Sequence, residues 1–355
     1  MMQYRQLGRS GLKVSALTLG TMTFGGKGKF AFVGNTDQSG ATRMIEIALD
    51  AGVNMLDTSD QYSTGTCEEI IGEAIKGKRG DVLLATKARF PMGPSPNDTG
   101  LSRHHLMRAC EGSLKRLGVD HIDLYQLHEW DGLTPVEETM AALESLVASG
   151  KVRYIGASNF TGWQLMKALG AADRVSTTRF ISQQIHYTLE AREAEYELVP
   201  ISLDQGLGIL VWSPIAGGLL SGRYRRGQAG PEDGRDFAGW KEPPVHDENR
   251  LYDIIEVLIK IGEEHNVSAA EVALAWLLHK PGVTSVIIGA NTEEQLRTNL
   301  KAVDLRLSTD DMDRLNAVSK LPLLYPYWHQ AMTASDRLGA VDLALLEQYL
   351  PKNIA

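Results

Sequence analysis

Cysteine is scarce in this chain, which has only two among its 355 residues. Cys67 and Cys110 cannot build the disulfide framework of a small secreted protein, and they lack the spacing of a metal site. The N-terminus has no apolar export segment, and no apolar run approaches the roughly 18 residues of a membrane-spanning helix. We therefore expect a cytoplasmic protein.

Positive charge is also in short supply, because 36 Lys and Arg face 44 Asp and Glu and give a formal net charge of −8. Such a chain gains little from neutralising phosphates, so we expect neither nucleic acid nor a membrane surface as its main partner. The one tight basic cluster, residues 223–226, fits a solvated surface turn, which we favour, or an anion contact.

A third absence concerns the glycine-rich fingerprint of doubly wound dinucleotide-binding sheets. No G-x-G-x-x-G follows a strand pattern and opens a helix, and Gly206-Leu207-Gly208 precedes a strand pattern instead. If the chain binds a dinucleotide, it does so on another fold.

What the chain does have is a regular alternation of short apolar runs, rich in β-forming residues, with longer amphipathic segments. This rhythm predicts βα units, and eight candidate strands predict a closed (β/α)8 TIM barrel of the α/β class. The candidate strands are residues 16–19, 54–57, 82–87, 122–128, 152–158, 180–184, 208–213 and 285–288. The candidate helices are residues 41–50, 67–75, 103–117, 135–149, 251–265, 269–279 and 293–301.

The two ends of the chain fall outside this rhythm. The turn Gly8-Arg9-Ser10-Gly11 lies between two short β patterns and predicts an N-terminal hairpin, which we expect at the barrel floor. We expect one domain over residues 1–355, with a core of residues 1–321 and a C-terminal tail of residues 322–355. In that tail, Tyr325, Tyr327 and Trp328 could form a pocket wall or anchor the tail to the barrel exterior, and we favour the anchor.

Polar residues end several of the candidate strands, where a barrel of this kind carries its active site. They are Asp57, Lys87 and His128, and Tyr62 lies five residues beyond Asp57. The reference pKa of tyrosine is about 10. An adjacent ammonium lowers it, and a carboxylate keeps that ammonium charged. The four residues therefore predict a proton-donating site in which His128 hydrogen-bonds a substrate oxygen.

Each of these residues also has an ordinary structural interpretation. Lys87 alone would most often be a solvated strand end, Tyr62 a surface aromatic, and Asp57 a cap or turn former. The joint arrangement favours catalysis. The ends of the later strands carry amide, hydroxyl and indole side chains, which would surround the same barrel mouth. Such side chains suit a flat nicotinamide.

The motifs in these positions resemble those of the aldo-keto reductase family, and the resemblance runs from Gly8 to about Leu321. The residues that carry it are Leu19-Gly20-Thr21-Met22, Asp57-Thr58-Ser59 with Tyr62, Ala85-Thr86-Lys87, Gln126-Leu127-His128, Gly156-Ala157-Ser158-Asn159-Phe160, Trp212-Ser213-Pro214, and Ile288-Gly289 with Gln295 and Asn299. The resemblance implies an NADP(H)-dependent oxidoreductase, or alcohol dehydrogenase, that interconverts an aldehyde or ketone and its alcohol. It implies Tyr62 as general acid/base, tuned by Lys87 and Asp57, with His128 orienting the substrate, and no metal.

The resemblance also implies the cofactor contacts, with NAD(H) as the alternative to NADP(H). These residues are Gly20, Thr21, Met22, Asp57, Ser158, Asn159, Gln184, Trp212, Ser213, Pro214, Ile215, Gly217, Leu219, Gly289, Asn291, Gln295 and Asn299. A helix beginning near Thr292 would offer its N-terminus to the 2′-phosphate. Two positions depart from the family pattern: Ser63 stands where relatives commonly have glycine, and Asn291 where they often have a basic residue.

Other interpretations remain open. The same barrel could serve as a cofactor-sensing regulatory or binding subunit with slow turnover. A metal-dependent barrel would need converging ligands, and His104 and His105 lie at the beginning of a predicted helix rather than at strand ends. Residues 217–249 are expected to form a lid over the cofactor or substrate. The expected partner is a small-molecule carbonyl or alcohol substrate. Its identity depends on loops 24–38, 90–100 and 129–132 and on the tail. Assembly into a homo-oligomer is left open.

Overall fold

The computed structural model describes residues 1–175, 178–232, 234 and 244–350. Eight parallel strands form a closed barrel, which confirms the predicted fold, and each pairs with the next in chain order until the last closes on the first. The strands are β1 (Tyr4–Gln6), β2 (Lys13–Ser15), β3 (Leu17–Gly20), β4 (Met55–Asp57), β5 (Leu83–Ala88), β6 (Ile122–Leu127), β7 (Val152–Ser158), β8 (Phe180–His186), β9 (Gly208–Trp212) and β10 (Val283–Ile288). The barrel comprises β3 to β10.

The antiparallel pair β1 and β2 closes the N-terminal end of the barrel, as expected for the floor. Leu7 and Val14 are fully buried there. Gly8 has a φ of +59°, and a Cβ on it would lie 2.3 Å from the carbonyl oxygen of Ile181, so only glycine fits. The hairpin side chains pack on residues that point into the barrel, namely Met55, Ala85, Leu124, Leu210 and Ile287.

Helices surround the strands, and most of them bury an apolar face. They are α1 (Gln38–Asp50), α2 (Thr66–Ala74), α3 (Arg103–Leu117), α4 (Val136–Ala148), α5 (Gly162–Val175), α6 (Leu198–Gln205), α7 (Glu248–His265), α8 (Ala269–Leu278), α9 (Glu293–Lys301), α10 (Thr309–Val318), α11 (Tyr327–Thr333) and α12 (Ala340–Leu346). Ser268 begins α8 with a capping box to Glu271. Within the described ranges, no helix has both the length and the apolar composition to cross a bilayer.

The tail that follows α10 lies on the outside of the barrel. The Tyr327 hydroxyl donates to Glu197 Oε1 at 2.5 Å, and its ring stacks on Tyr196 with 5.5 Å between centroids. Leu345 and Leu346 are buried. The favoured interpretation, an anchor rather than a pocket wall, is confirmed for Tyr327.

Candidate active site

The carboxyl ends of the strands open into a cleft of about 620 Å³. This volume lies within the usual range of small-molecule and cofactor pockets. Asp57 ends β4, Lys87 lies one residue before the end of β5, and His128 directly follows β6, while Tyr62 begins a short turn over Tyr62–Gly65. The structure brings the four residues together, and Asp57, Tyr62 and His128 line the cleft.

A buried ion pair lies beneath the cleft. Lys87 is fully buried, and its Nζ donates to Asp57 Oδ1 at 2.5 Å and to the carbonyl oxygen of Thr58 at 2.9 Å. The other oxygen of Asp57 accepts hydrogen bonds from Gln126 Nε2 at 3.2 Å and Gln184 Nε2 at 2.7 Å. Burial lowers the pKa of Lys87, but Asp57 and Tyr62 together more than offset this and the pKa lies above its usual value. The side chain therefore stays an ammonium.

Tyr62 stands between this ion pair and the cleft. The Lys87 ammonium lies 5.2 Å from the centroid of its ring, and the ring meets Phe30 and His128 edge-on at 5.3 and 6.0 Å. Burial raises the pKa of Tyr62 by more than the Lys87 ammonium lowers it. The Lys87 ammonium thus lowers the pKa of Tyr62 as expected, but burial raises it by more, because the phenolate would be poorly solvated. At neutral pH Tyr62 carries its proton.

The loop after Tyr62 explains how serine replaces glycine there. Ser63 and Thr64 have φ angles of 48° and 56°, in the left-handed region that favours glycine. The hydroxyl of Ser63 donates to the carbonyl oxygen of Phe24 at 2.8 Å and accepts from the backbone N–H of Lys27 at 3.3 Å. These hydrogen bonds hold the strained turn and tie it to the loop after β3.

His128 lies across the cleft floor from Tyr62 and is neutral. Burial holds the pKa of His128 well below its usual value, and the charges of Lys87, Lys29 and Arg89 lower it further. Its Nδ1 lies 3.1 Å from Ser59 Oγ, and Phe90 packs edge-on against the ring at 5.0 Å. The imidazole can therefore hydrogen-bond a ligand oxygen without adding charge.

The residues implied as cofactor contacts line the same cleft, apart from two. Those in the lining are Gly20, Thr21, Met22, Asp57, Asn159, Gln184, Trp212, Ser213, Pro214, Ile215, Gly217, Gly289, Asn291, Gln295 and Asn299. Ser158 is buried at the end of β7, and its Oγ has no hydrogen-bond partner among the described residues. Leu219 is half-buried in the turn Ala216–Ser221.

The indole of Trp212 offers a fixed flat surface at the cleft. Its Nε1 donates to Asn159 Oδ1 at 3.0 Å, and Asn159 Nδ2 donates to the carbonyl oxygen of His128 at 3.0 Å. The ring of His186 packs behind it at 4.7 Å. Asn159 and Ser213 have φ angles of 56° and 49°, so two strand ends hold strained backbone at this site.

The other end of the cleft fits an extended dinucleotide. Thr292 caps α9 by accepting from the backbone N–H of Gln295 at 3.2 Å, and this helix N-terminus borders the cleft. Gly289 lines the cleft, and a Cβ built on it meets no atom within 4 Å. Glu294 also lines this end, and position 291 offers an amide rather than a cation.

The segment predicted as a lid contributes to the cleft where it is described. Gly217, Gly218, Ser221, Arg223, Tyr224, Pro231 and Gly234 belong to the lining. Residues 233 and 235–243 lie outside the described residues. The two ends of the basic cluster 223–226 lie in different surroundings. Arg223 borders the cleft, whereas Arg226 pairs with Asp253 at 2.7 Å on the exposed face of α7.

Two contacts of this site were missed from the sequence. Gln126 lies fully buried within β6, and its place one residue before Leu127-His128 in a strand pattern was the available signal. Ser59 is also fully buried, and the sequence pattern assigned it no role beyond its place in the motif Asp57-Thr58-Ser59. Its contact with His128 joins residues 69 positions apart.

Comparison with known proteins places this barrel among the oxidoreductases. A model of the Aldo/keto reductase family matches residues 16–320, which is most of the chain. The chain belongs to the aldo/keto reductase family, whose members generally use NAD(P)H.

Three relatives illustrate the range of this family. The chain is 42% identical to the "uncharacterized oxidoreductase YrpG" of Bacillus subtilis (strain 168), over 89% of this chain and 96% of that protein. It is 38% identical to a "probable voltage-gated potassium channel subunit beta" of Arabidopsis thaliana, over 86% and 92% of the two chains. It is 35% identical to the "versiconal hemiacetal acetate reductase" of Aspergillus parasiticus, over 88% and 96%.

Proposed function

We propose that this protein is an NADP(H)-dependent carbonyl reductase, or alcohol dehydrogenase, with Tyr62 as its general acid and base. The observation that carries the proposal is the protonated Tyr62 phenol in the cleft, with the Lys87 ammonium behind it and the neutral His128 beside it. This arrangement suits proton donation to a carbonyl oxygen.

In the reductive direction, NADPH held in the cleft would supply the hydride for the carbonyl carbon. His128 hydrogen-bonds the carbonyl oxygen and orients it toward Tyr62. As negative charge develops on that oxygen, the Tyr62 O–H bond breaks and its proton forms the alcohol. The Lys87 ammonium stabilises the remaining phenolate, and Asp57 holds Lys87 in place. In the oxidative direction the phenolate takes the alcohol proton.

The same proposal assigns the cofactor contacts by position along the cleft. Ser158, Asn159 and Gln184 would hold the carboxamide, and Trp212 would stack on the nicotinamide ring. The glycines at 217 and 289 leave room for the pyrophosphate and adenosine, with Asn291, Gln295 and Asn299 around the latter. The N-terminus of α9 favours the 2′-phosphate of NADP(H), whereas Glu294 and the amide of Asn291 make NAD(H) the second candidate.

Filling the open space beside Gly289 should weaken cofactor binding. The Gly289→Val side chain would meet no protein atom within 4 Å at its Cβ, so it would occupy the cleft without disturbing the barrel. We expect an increase of about tenfold or more in the Kd for NADPH, measured by quenching of protein fluorescence. Gly80→Val is the matched control, because Gly80 is exposed, also has open space at its Cβ and lies outside the cleft. Equal affinities in the two variants would contradict this placement.

The direct test of the proposed function is turnover by the purified protein. We expect a reactive aromatic aldehyde to be reduced with loss of cofactor absorbance, faster with NADPH than with NADH. Tight cofactor binding without turnover of aldehydes or ketones would contradict the enzyme assignment.

A second candidate is a cofactor-sensing regulatory subunit, and it is supported by the likeness to the Arabidopsis thaliana protein named as a potassium channel subunit beta. Such a subunit would bind the cofactor tightly, turn over slowly and form a stable complex with a partner. Slow single-turnover oxidation of bound NADPH, together with co-purification of a partner, would favour it over the enzyme.

We further propose one domain with a core of residues 1–321 and a tail of residues 322–355, acting on small molecules in the cytoplasm. The burial of Leu345 and Leu346 supports a single domain, because α12 of the tail then packs against α6 of the barrel. The free, buried thiols of Cys67 and Cys110 support a reducing compartment.

A further inference from the structure

The mechanism above leaves the buried carboxyl group of Asp60 unused. Asp60 is fully buried. Its Oδ1 lies 3.3 Å from Ser59 Oγ, and Ser59 Oγ lies 3.1 Å from Nδ1 of His128. Oδ2 has no hydrogen-bond partner among the described residues. A continuous chain of polar atoms therefore runs from Asp60 through Ser59 to the imidazole.

Ser59 has one hydroxyl proton and three possible acceptors: Nδ1 of His128 at 3.1 Å, Oδ1 of Asp60 at 3.3 Å and, at the longest distance of 3.5 Å, the carbonyl oxygen of Lys87. Donation to the first or the second of these decides what His128 presents to the cleft. Because the pKa of His128 is well below its usual value, the ring carries one N–H at neutral pH. If Ser59 donates to Nδ1, that proton resides on Nε2 and can bond a carbonyl oxygen. If Ser59 donates to Asp60 instead, Nδ1 keeps the proton and Nε2 becomes an acceptor, which repels a carbonyl oxygen.

We propose that Asp60 and Ser59 are positioning residues that select the tautomer of His128, and that the neutral carboxyl of Asp60 selects the form able to donate to a carbonyl. The neutral carboxyl of Asp60 donates a hydrogen bond to Ser59 Oγ, and the Ser59 hydroxyl then donates to Nδ1 of His128. The ionised carboxylate of Asp60 accepts a hydrogen bond from the Ser59 hydroxyl. Nδ1 of His128 then donates to Ser59 Oγ instead of accepting from it. This inference rests on the proposed function, since it assigns His128 a donor role in carbonyl reduction.

The surroundings of Asp60 favour the neutral carboxyl at neutral pH. Burial, followed by the nearby Glu68 carboxylate on α2, raises the pKa of Asp60 to about 8, and Arg116 on α3 opposes this. Tyr125 on β6 is the other titratable group close to it, and burial keeps that phenol protonated. Around His128 the charged groups are Lys87, Lys29 and Arg89, all cations. The ionisable acid coupled to the imidazole is thus Asp60.

This coupling predicts a pH dependence distinct from that of Tyr62. Reduction by the wild type should fall by about a hundredfold to a thousandfold as the pH rises through about 8, the cost of losing one donor to the developing oxyanion. The pKa of Tyr62 lies above its usual value, so loss of the phenol proton would act at higher pH. The two effects are separated along the pH axis.

The test compares pH profiles of kcat/KM for aldehyde reduction, each scaled to that variant's own value at neutral pH. In Asp60→Asn, whose amide can donate to Ser59 but cannot ionise, the fall near pH 8 should disappear. In Glu68→Gln, which removes the neighbouring negative charge, the fall should move to lower pH. Ser59→Ala should lower kcat and flatten the profile. Profiles in Asp60→Asn that match the wild type would overturn the proposal.

An independent readout is the tautomer itself, measured by nitrogen-15 NMR of histidine-labelled protein without substrate. The His128 signals, identified by their loss in His128→Asn, should report protonated Nε2 at neutral pH and protonated Nδ1 above the pKa of Asp60. Asp60→Asn should keep the Nε2 form throughout. If the tautomer of His128 in the wild type does not change with pH, the inference is wrong even if turnover is normal. If turnover is absent but the tautomer changes as expected, the result argues against the proposed function instead.

Discussion

Replacing Tyr62 with phenylalanine should abolish carbonyl reduction while leaving cofactor binding nearly intact. Phenylalanine keeps the ring that packs on Phe30 and His128, so the fold and the cleft shape should survive. What it removes is the one protonated oxygen placed beside the Lys87 ammonium. Loss of a positioned general acid costs about a hundredfold to ten-thousandfold in rate.

The measurement pairs kcat for aldehyde reduction with the Kd for NADPH in Tyr62→Phe. Tyr4→Phe is the matched control, because it removes a hydroxyl that bonds Gly52 at the opposite end of the barrel. We expect kcat to collapse only in the Tyr62 variant and the two Kd values to stay close. Undiminished turnover in Tyr62→Phe would transfer the role of proton donor to another residue.

The barrel was predictable from sequence because short segments rich in β-forming residues alternate with helical patterns along the chain. The strand patterns at 54–57 and 122–128 lie within a residue of β4 and β6. The helices α5, α6, α10, α11 and α12 were not predicted. The segment of α6 has Pro200 in its first turn, and α12 is a single short amphipathic stretch stabilised by tertiary packing.

Of the site residues, only those at the ends of strands were predictable from the strand pattern. Asp57, Lys87 and His128 were found because the carboxyl ends of parallel strands meet at one mouth. Ser59 and Asp60 were not, since nothing local marks them as buried or places them beside His128. The net pKa of Tyr62 was equally inaccessible, because it depends on how burial and the Lys87 ammonium balance in the folded chain.

Replacing Lys87 with methionine should also inactivate the protein, for a chemical reason that must be separated from a structural one. Burial raises the pKa of Tyr62 and the ammonium opposes it, so without Lys87 the phenol becomes a weaker acid and its phenolate loses its counter-charge. The same change leaves the Asp57 carboxylate buried without its cation, and breaking such a pair costs about 3–5 kcal/mol of stability. Low activity in Lys87→Met alone could therefore arise from unfolding.

The double variant Lys87→Met with Asp57→Asn separates the two effects. It removes the unpaired charge and keeps an amide that can bond Gln126 and Gln184, the other partners of Asp57. We expect urea unfolding to show a large loss of stability in Lys87→Met and its recovery, in large part, in the double variant. Reduction should remain lower than wild type by about a hundredfold or more in both. If the double variant recovered turnover together with stability, Lys87 would be a structural residue, and the ammonium would have no part in proton transfer from Tyr62.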